Sequence, residues 1–146
     1  MGANSTTRNA LGVIGQVALG AALLTAGTSH LTKQREEFQA QVPEWLPADP
    51  DVVVVVSGVV ELALGAALVA TWKQPARALV GTAAAAFFVA VFPGNIGQYT
   101  GHADAFGLDT DTKRAVRLVF QPVLVVWALA ATDAVRVLRE ARAARG

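Results

Sequence analysis

Cysteine is absent from the 146-residue chain, which excludes disulfides, thiolate catalysis, haem attachment, and iron–sulfur or cysteine–zinc centres. Charge is scarce as well: Asp, Glu, Lys and Arg make up 16% of the residues, against roughly 25% in soluble domains. The net charge is +1, so no basic excess marks a nucleic-acid partner. There is no Ser-His-Asp order with a nucleophile elbow, no phosphate-binding glycine loop and no HExxH. A metal site on His30, Glu61 and His102 would lack a further reliable ligand, so no metal is expected.

What the chain has is apolar blocks. Hydrophobic residues reach 53% and the mean hydropathy is +0.44. These residues collect in runs instead of alternating with polar ones, and a spanning helix needs about 20 of them. Between Arg8 and Lys33 no residue is charged; from Val52 to Trp72 the only charge is Glu61; from Ala78 to Ala103 there is none. The fourth block, Leu118–Thr132, is short. It reaches spanning length only as a helix from about 115 to 138, with Arg117 and Arg136 snorkelling to opposite surfaces. The first block is read as a span and not as a cleaved signal peptide, because the run is long and polar residues follow it directly. The expected fold is an all-α membrane protein: one integral domain over 1–146, a four-transmembrane-helix bundle with spans at about 10–30, 52–72, 78–99 and 115–138.

Four spans put both termini on one side. That side carries Arg8, Lys73, Arg77, Arg136, Arg139, Arg142 and Arg145; the other carries Lys33, Arg35, Lys113, Arg114 and Arg117 together with most acidic residues. Short basic loops stay cytoplasmic, so both termini are expected inside the bacterial cell (inner) membrane. Trp72 fits an interfacial anchor, and the Arg136–Arg145 tail a basic stripe on the membrane surface. Gly12, Gly15, Gly20, Gly27, Gly58, Gly65 and Ala83–Ala86 supply small faces for close helix approach. Between the first two spans, Phe38, Val42, Trp45 and Leu46 share one helical face, while Pro43 and Pro47 limit any helix to short pieces. This extra amphipathic segment either lies on the outer surface or folds over the bundle as a lid. Residues 98–114 read as a solvated loop.

Polar side chains inside spans are costly and call for individual explanation. Glu61 lies about 15 Å into the second span, near mid-membrane, and Ser57 shares its face one turn away. His30 closes the first span. In the third, Phe88, Phe92, Asn95 and Tyr99 fall at i, i+4, i+7 and i+11; in the fourth, Arg117 and Gln121 share a stripe. Each span thus brings a polar group to the same half of the membrane. Either these groups only tie the helices together, or they line a shared pocket. Pro93 and Pro122 each free a backbone carbonyl inside a span, which suits a bundle interior or a wet cavity. The pocket reading assigns ligand binding to His30, Ser57, Glu61, Phe92, Asn95, Tyr99 and Gln121, with no catalytic residue.

In order, Gly27-Thr28-Ser29-His30, Val42-Pro43 with Leu46-Pro47, Ser57-Gly58-Val59-Val60-Glu61-Leu62, Val91-Phe92-Pro93-Gly94-Asn95, and Arg117-Leu118 with Gln121 resemble the DoxX-like family of small four-span bacterial membrane proteins. The resemblance covers roughly residues 10 to 132, and its most specific pieces are Ser57-Gly58-xx-Glu61 and Phe92-Pro93-xx-Asn95. It implies a four-span bundle with polar positions at His30, Ser57, Glu61, Asn95 and Gln121. It further implies a link to quinone-linked oxidoreductase assemblies, or to lipid-binding membrane folds. The expectation is a lipid- or quinone-binding or accessory subunit, not catalytic by itself. The alternative is a membrane subunit of a quinone-linked oxidoreductase, with Glu61 and His30 moving protons. No cofactor beyond a bound quinone or lipid is implied. The expected partners are the bilayer, a further copy or a membrane complex, and no nucleic acid.

Overall fold

The computed structural model describes the backbone of residues 2–146 and the side chains of residues 9–146; Met1 and the Arg8 side chain counted above lie outside the described residues. Six helices follow one another: α1 Gly2–Leu31, α2 Arg35–Gln39, α3 Pro50–Ala70, α4 Ala76–Thr100, α5 Asp111–Ala131 and α6 Ala134–Ala143. Four of them, Asn9–Leu31, Pro50–Ala70, Ala76–Thr100 and Asp111–Ala131, are long and apolar enough to cross a membrane. The fold is all-α, a four-helix bundle of a multi-pass membrane protein.

The surface is inverted relative to a soluble domain. Leu11, Ile14, Val52, Val56, Leu79, Val89, Val119 and Val126 are exposed, while Gln16, His30, Glu61, Asn95, Gln98, Arg114 and Gln121 are buried. In water such an apolar skin would aggregate. In a bilayer it is the solvated face.

Two close pairs build the bundle, α1 on α3 and α4 on α5. The small residues make the first pair possible. A Cβ on Gly27 would stand 2.7 Å from the Gly58 carbonyl oxygen, and one on Gly65 2.8 Å from that of Gly20. Backbone lies on backbone there, as close packing between membrane helices requires. In the second pair Gly81 faces Thr132, and Ala84, Ala85 and Ala128 join the core with Leu19, Leu23, Leu68 and Phe88. The α1 and α5 helices meet where Trp127 Nε1 donates to the Gly15 carbonyl at 2.9 Å.

Helix ends follow local chemistry. Asp49 caps α3, accepting from the amides of Asp51 and Val52 ahead of a first-turn proline. Thr110 caps α5. At the other end of the bundle the last carbonyls of α3 and α5 would be orphaned, and side chains close them. Gln16 Nε2 donates to the Leu68 and Thr71 carbonyls at 2.7 and 2.8 Å. Arg77 Nε donates to Gln16 Oε1, and its Nη2 to the Ala131 carbonyl, both at 2.5 Å. Gln74 Nε2 donates to the Thr132 carbonyl at 2.8 Å. One cluster therefore locks all four long helices at the end that carries the termini.

The fourth span differs from the expectation of 115–138. It runs over Asp111–Ala131, then the chain turns at Asp133 (φ 59°) into α6. Arg136 belongs to that separate helix, where it bridges Asp133 and Glu140. The span starts and ends earlier than expected because it takes in Arg114 and breaks at Asp133 before reaching Arg136. In the structure Arg114 is buried and paired with Asp104 and Asp111, so its charge is compensated within the fold. The solvated loop is accordingly shorter than 98–114: α4 continues to Thr100, and the connection is 101–110.

Candidate functional site

The end opposite the termini, where the 32–49 and 101–110 connections lie, is built differently. Beyond the Gly15–Trp127 contact the two helix pairs leave a cavity of about 470 Å³ between them. Its wall is mostly apolar, with Leu19, Leu23, Val54, Phe88 and Leu124 among the lining residues. Into it come His30 from α1, Ser57 and Glu61 from α3, Asn95 from α4, and Arg117 and Gln121 from α5. Five of the expected site residues, His30, Ser57, Glu61, Asn95 and Gln121, thus meet at one place.

Phe92 and Tyr99 do not line it; Phe92 is half-buried and Tyr99 exposed. The reason is the packing period. The buried positions of α4 include Gly81, Ala84, Phe88, Asn95 and Gln98, a seven-residue repeat whose second seam position follows the first by three. Val91, which lines the cavity, and Gln98 hold those positions. The i+4 choice made from the sequence selects their neighbours Phe92 and Tyr99 instead.

The segment after α1 closes the top. The α2 helix and residues 40–46 lie over the cavity, and Phe38, Val42, Trp45 and Leu46 all line it. Of the two expected placements the lid is the one found. Its close approach depends on Gly94, where a Cβ would stand 3.0 Å from the Gln41 carbonyl oxygen. Gln41 latches it: Nε2 donates to Gln98 Oε1 at 2.9 Å, and Oε1 accepts from Arg117 Nη2 at 3.2 Å. Phe38 packs edge-on against the His30 ring and also touches Phe106, over which the Arg117 guanidinium stands at 5.1 Å. Around the rim, Arg35 pairs with Asp51 and Lys113 with Asp109. The bound Lys113 ammonium holds the Asp109 carboxyl below its ordinary value.

The polar groups of the cavity fall into two kinds. The amides are mutually satisfied: Asn95 Nδ2 donates to Gln121 Oε1 at 3.0 Å, Gln121 Nε2 donates to the Phe88 carbonyl at 2.7 Å, and Asn95 Oδ1 accepts from Arg117 Nε at 3.1 Å. They tie α4 to α5. The acid and the imidazole are not so placed. His30 Nδ1 stands 2.9 Å from Glu61 Oε2 and 3.4 Å from Ser57 Oγ, while Ser57 Oγ donates to the Val54 carbonyl. Despite the ion-pair distance, Glu61 Oε2 is buried with no hydrogen-bond partner among the described residues. Leaving such an atom unbonded costs about 1–3 kcal/mol, more for a charge. A membrane interior keeps that cost only where another partner or a function offsets it.

The residues that sequence reasoning missed are Gln16, Gln41, Arg77, Gln98 and Arg114. Gln41 had no signal beyond polarity, since its importance comes from meeting Gln98 and Arg117. Gln16 did carry one: an amide inside the first apolar run.

The chain belongs to the family described as Domain of unknown function (DUF8561), which matches residues 19–132. The match starts at Leu19, the first α1 residue on the cavity, and stops at Thr132, where α5 gives way to α6. No curated protein and no solved structure matches the chain.

Proposed function

We propose that this family member is a ligand-binding or accessory subunit of the bacterial inner membrane, holding an apolar molecule with a polar head, such as a lipid or quinone, in the cavity beneath the α2 lid. The observation that carries this reading is the cavity itself: about 470 Å³, mostly apolar, with polar groups brought to it by all four long helices. Ligand sites have that size and that mixture, whereas glue between helices needs no void. The DoxX-like resemblance supports the same reading, because its scattered motif positions His30, Ser57, Glu61, Asn95 and Gln121 all line this cavity. No catalytic role is assigned.

In this proposal both termini face the cytoplasm. The termini end carries Arg139, Arg142 and Arg145, which form no ion pair among the described residues, whereas Arg35, Lys113 and Arg114 at the other end are matched by carboxylates. A reporter fused at residue 146 is expected to read cytoplasmic and one inserted at Trp45 external.

Mass spectrometry of lipids and quinones co-purifying with wild type and with Ala26→Trp, which fills the cavity, tests the ligand. Wild type should enrich one amphiphile over bulk lipid and the variant should lose it. No enrichment, or full retention by Ala26→Trp, means that the polar residues only hold the helices together.

A further inference from the structure

The cavity holds two groups with bonding capacity that the protein does not use. The amides of Asn95, Gln98, Gln121 and Gln41 bond one another, Arg117, or backbone carbonyls. Arg117 gives Nε to Asn95 and Nη2 to Gln41, both neutral oxygens, and Nη1 meets no acceptor among the described residues. Glu61 is 8% exposed, lines the cavity, and its Oε2 receives no hydrogen bond. Glu61 Oε2, which the His30 ring approaches at 2.9 Å without a hydrogen bond, and Arg117, which also stands over the Phe106 ring, therefore line the same cavity.

Resting on the cavity reading above, we propose that the occupant is a neutral amphiphile whose head donates a hydrogen bond to Glu61 Oε2 and accepts one from Arg117. A hydroxyl close to an ester, amide or ketone carbonyl has that chemistry. Glu61 Oε2 offers an acceptor and the Arg117 guanidinium a donor to the same head. An anionic head would suit Arg117 and oppose Glu61, and a cationic head the reverse. A neutral donor–acceptor head matches both at once. Its chain runs along Leu19, Leu23, Val54 and Leu124. The exposed Phe120 beside them marks a lateral way out to the bilayer.

The test uses the full chain in lipid nanodiscs and three laurate probes that differ only in the head. These are 1-monolauroylglycerol (donor and acceptor), methyl laurate (acceptor only) and lauroyl lysophosphatidylethanolamine (zwitterionic). Affinities are read by native mass spectrometry. Monolauroylglycerol should bind at least about tenfold tighter than methyl laurate, the factor a hydrogen bond to a charged group supplies. Glu61→Leu should bring it down to the methyl laurate value and leave methyl laurate unchanged; Glu61→Gln should fall between. Arg117→Gln should weaken both esters by similar factors, and Ala26→Trp should weaken both strongly. Should Glu61→Leu not fold, the reduced ratio in Glu61→Gln carries the test. Equal binding of the two esters by wild type, a ratio unchanged by either Glu61 variant, an Arg117→Gln that weakens neither, or tighter binding of the zwitterion overturns the proposal. If neither ester binds wild type, or Ala26→Trp weakens neither, the cavity reading falls with it.

Discussion

The two ends of this bundle each bury a glutamine beside an arginine, and they use them in opposite ways. At the termini end, Gln16 and Arg77 close the last carbonyls of α3 and α5, and Gln16 is 1% exposed. Each of those side chains bonds to the protein. At the other end Gln121 and Arg117 stand in the wall of a cavity that also holds an unbonded carboxylate oxygen. The same residue types close helix termini at one end and line a cavity at the other, where the helices part. Residue type alone does not make a membrane polar group functional; what its neighbours leave unsatisfied does.

Four substitutions, each read by tryptophan-fluorescence melting of the purified protein, distinguish the two ends. Gln16→Leu should have the largest effect. It strips two backbone carbonyls and Arg77 of their partner, about 3–5 kcal/mol for breaking a buried charged network. A loss below about 1 kcal/mol would mean that the termini end is no lock. Gln121→Leu comes next at about 1–3 kcal/mol, because Asn95 Nδ2 and the Phe88 carbonyl each lose one neutral bond.

Glu61→Leu should cost the ligand-free protein about 1 kcal/mol, less than Gln121→Leu, since Glu61 Oε2 receives no hydrogen bond although the His30 ring stands 2.9 Å away. A loss as large as that of Gln16→Leu would show that Glu61 is glue after all. Smallest is the rim: Lys113→Ala should leave the melting temperature at pH 7 within error, as an exposed pair contributes little. Its sign with pH is nevertheless defined. The Asp109 carboxyl is lowered in the folded state by the Lys113 hydrogen bond, so any contribution is present above the unfolded carboxylate value of about 3.9. It fades as the pH falls through the lower folded one, and comparing melting at pH 7 and pH 3 for wild type and Lys113→Ala checks it.

Much of this was legible in one dimension. Four apolar runs predict four spans, because a bilayer leaves the chain no other way to satisfy its backbone. Glycines seven apart, Gly20 with Gly27 and Gly58 with Gly65, announce the α1–α3 contact. The positions of His30, Ser57, Glu61, Asn95 and Gln121 in one half of the membrane follow from rise per residue alone. These properties are local or periodic, so the order of residues suffices to decide them.

Tertiary structure alone decided the rest. Arg114 enters the fourth span because Asp104 and Asp111 reach it from either side, and no count of uncharged residues contains that pairing. Val91 and Gln98 replace Phe92 and Tyr99 on the buried seam because helix packing chose the three-residue step over the four-residue one. The segment around Phe38 becomes a lid because Gln41 finds Gln98 and Arg117, which are 57 and 76 positions away. Above all, the division of polar groups into satisfied amides and an unsatisfied acid is a property of neighbours. A hydrogen bond exists only between two groups brought together, and the chain order names each group without saying which other one it will meet.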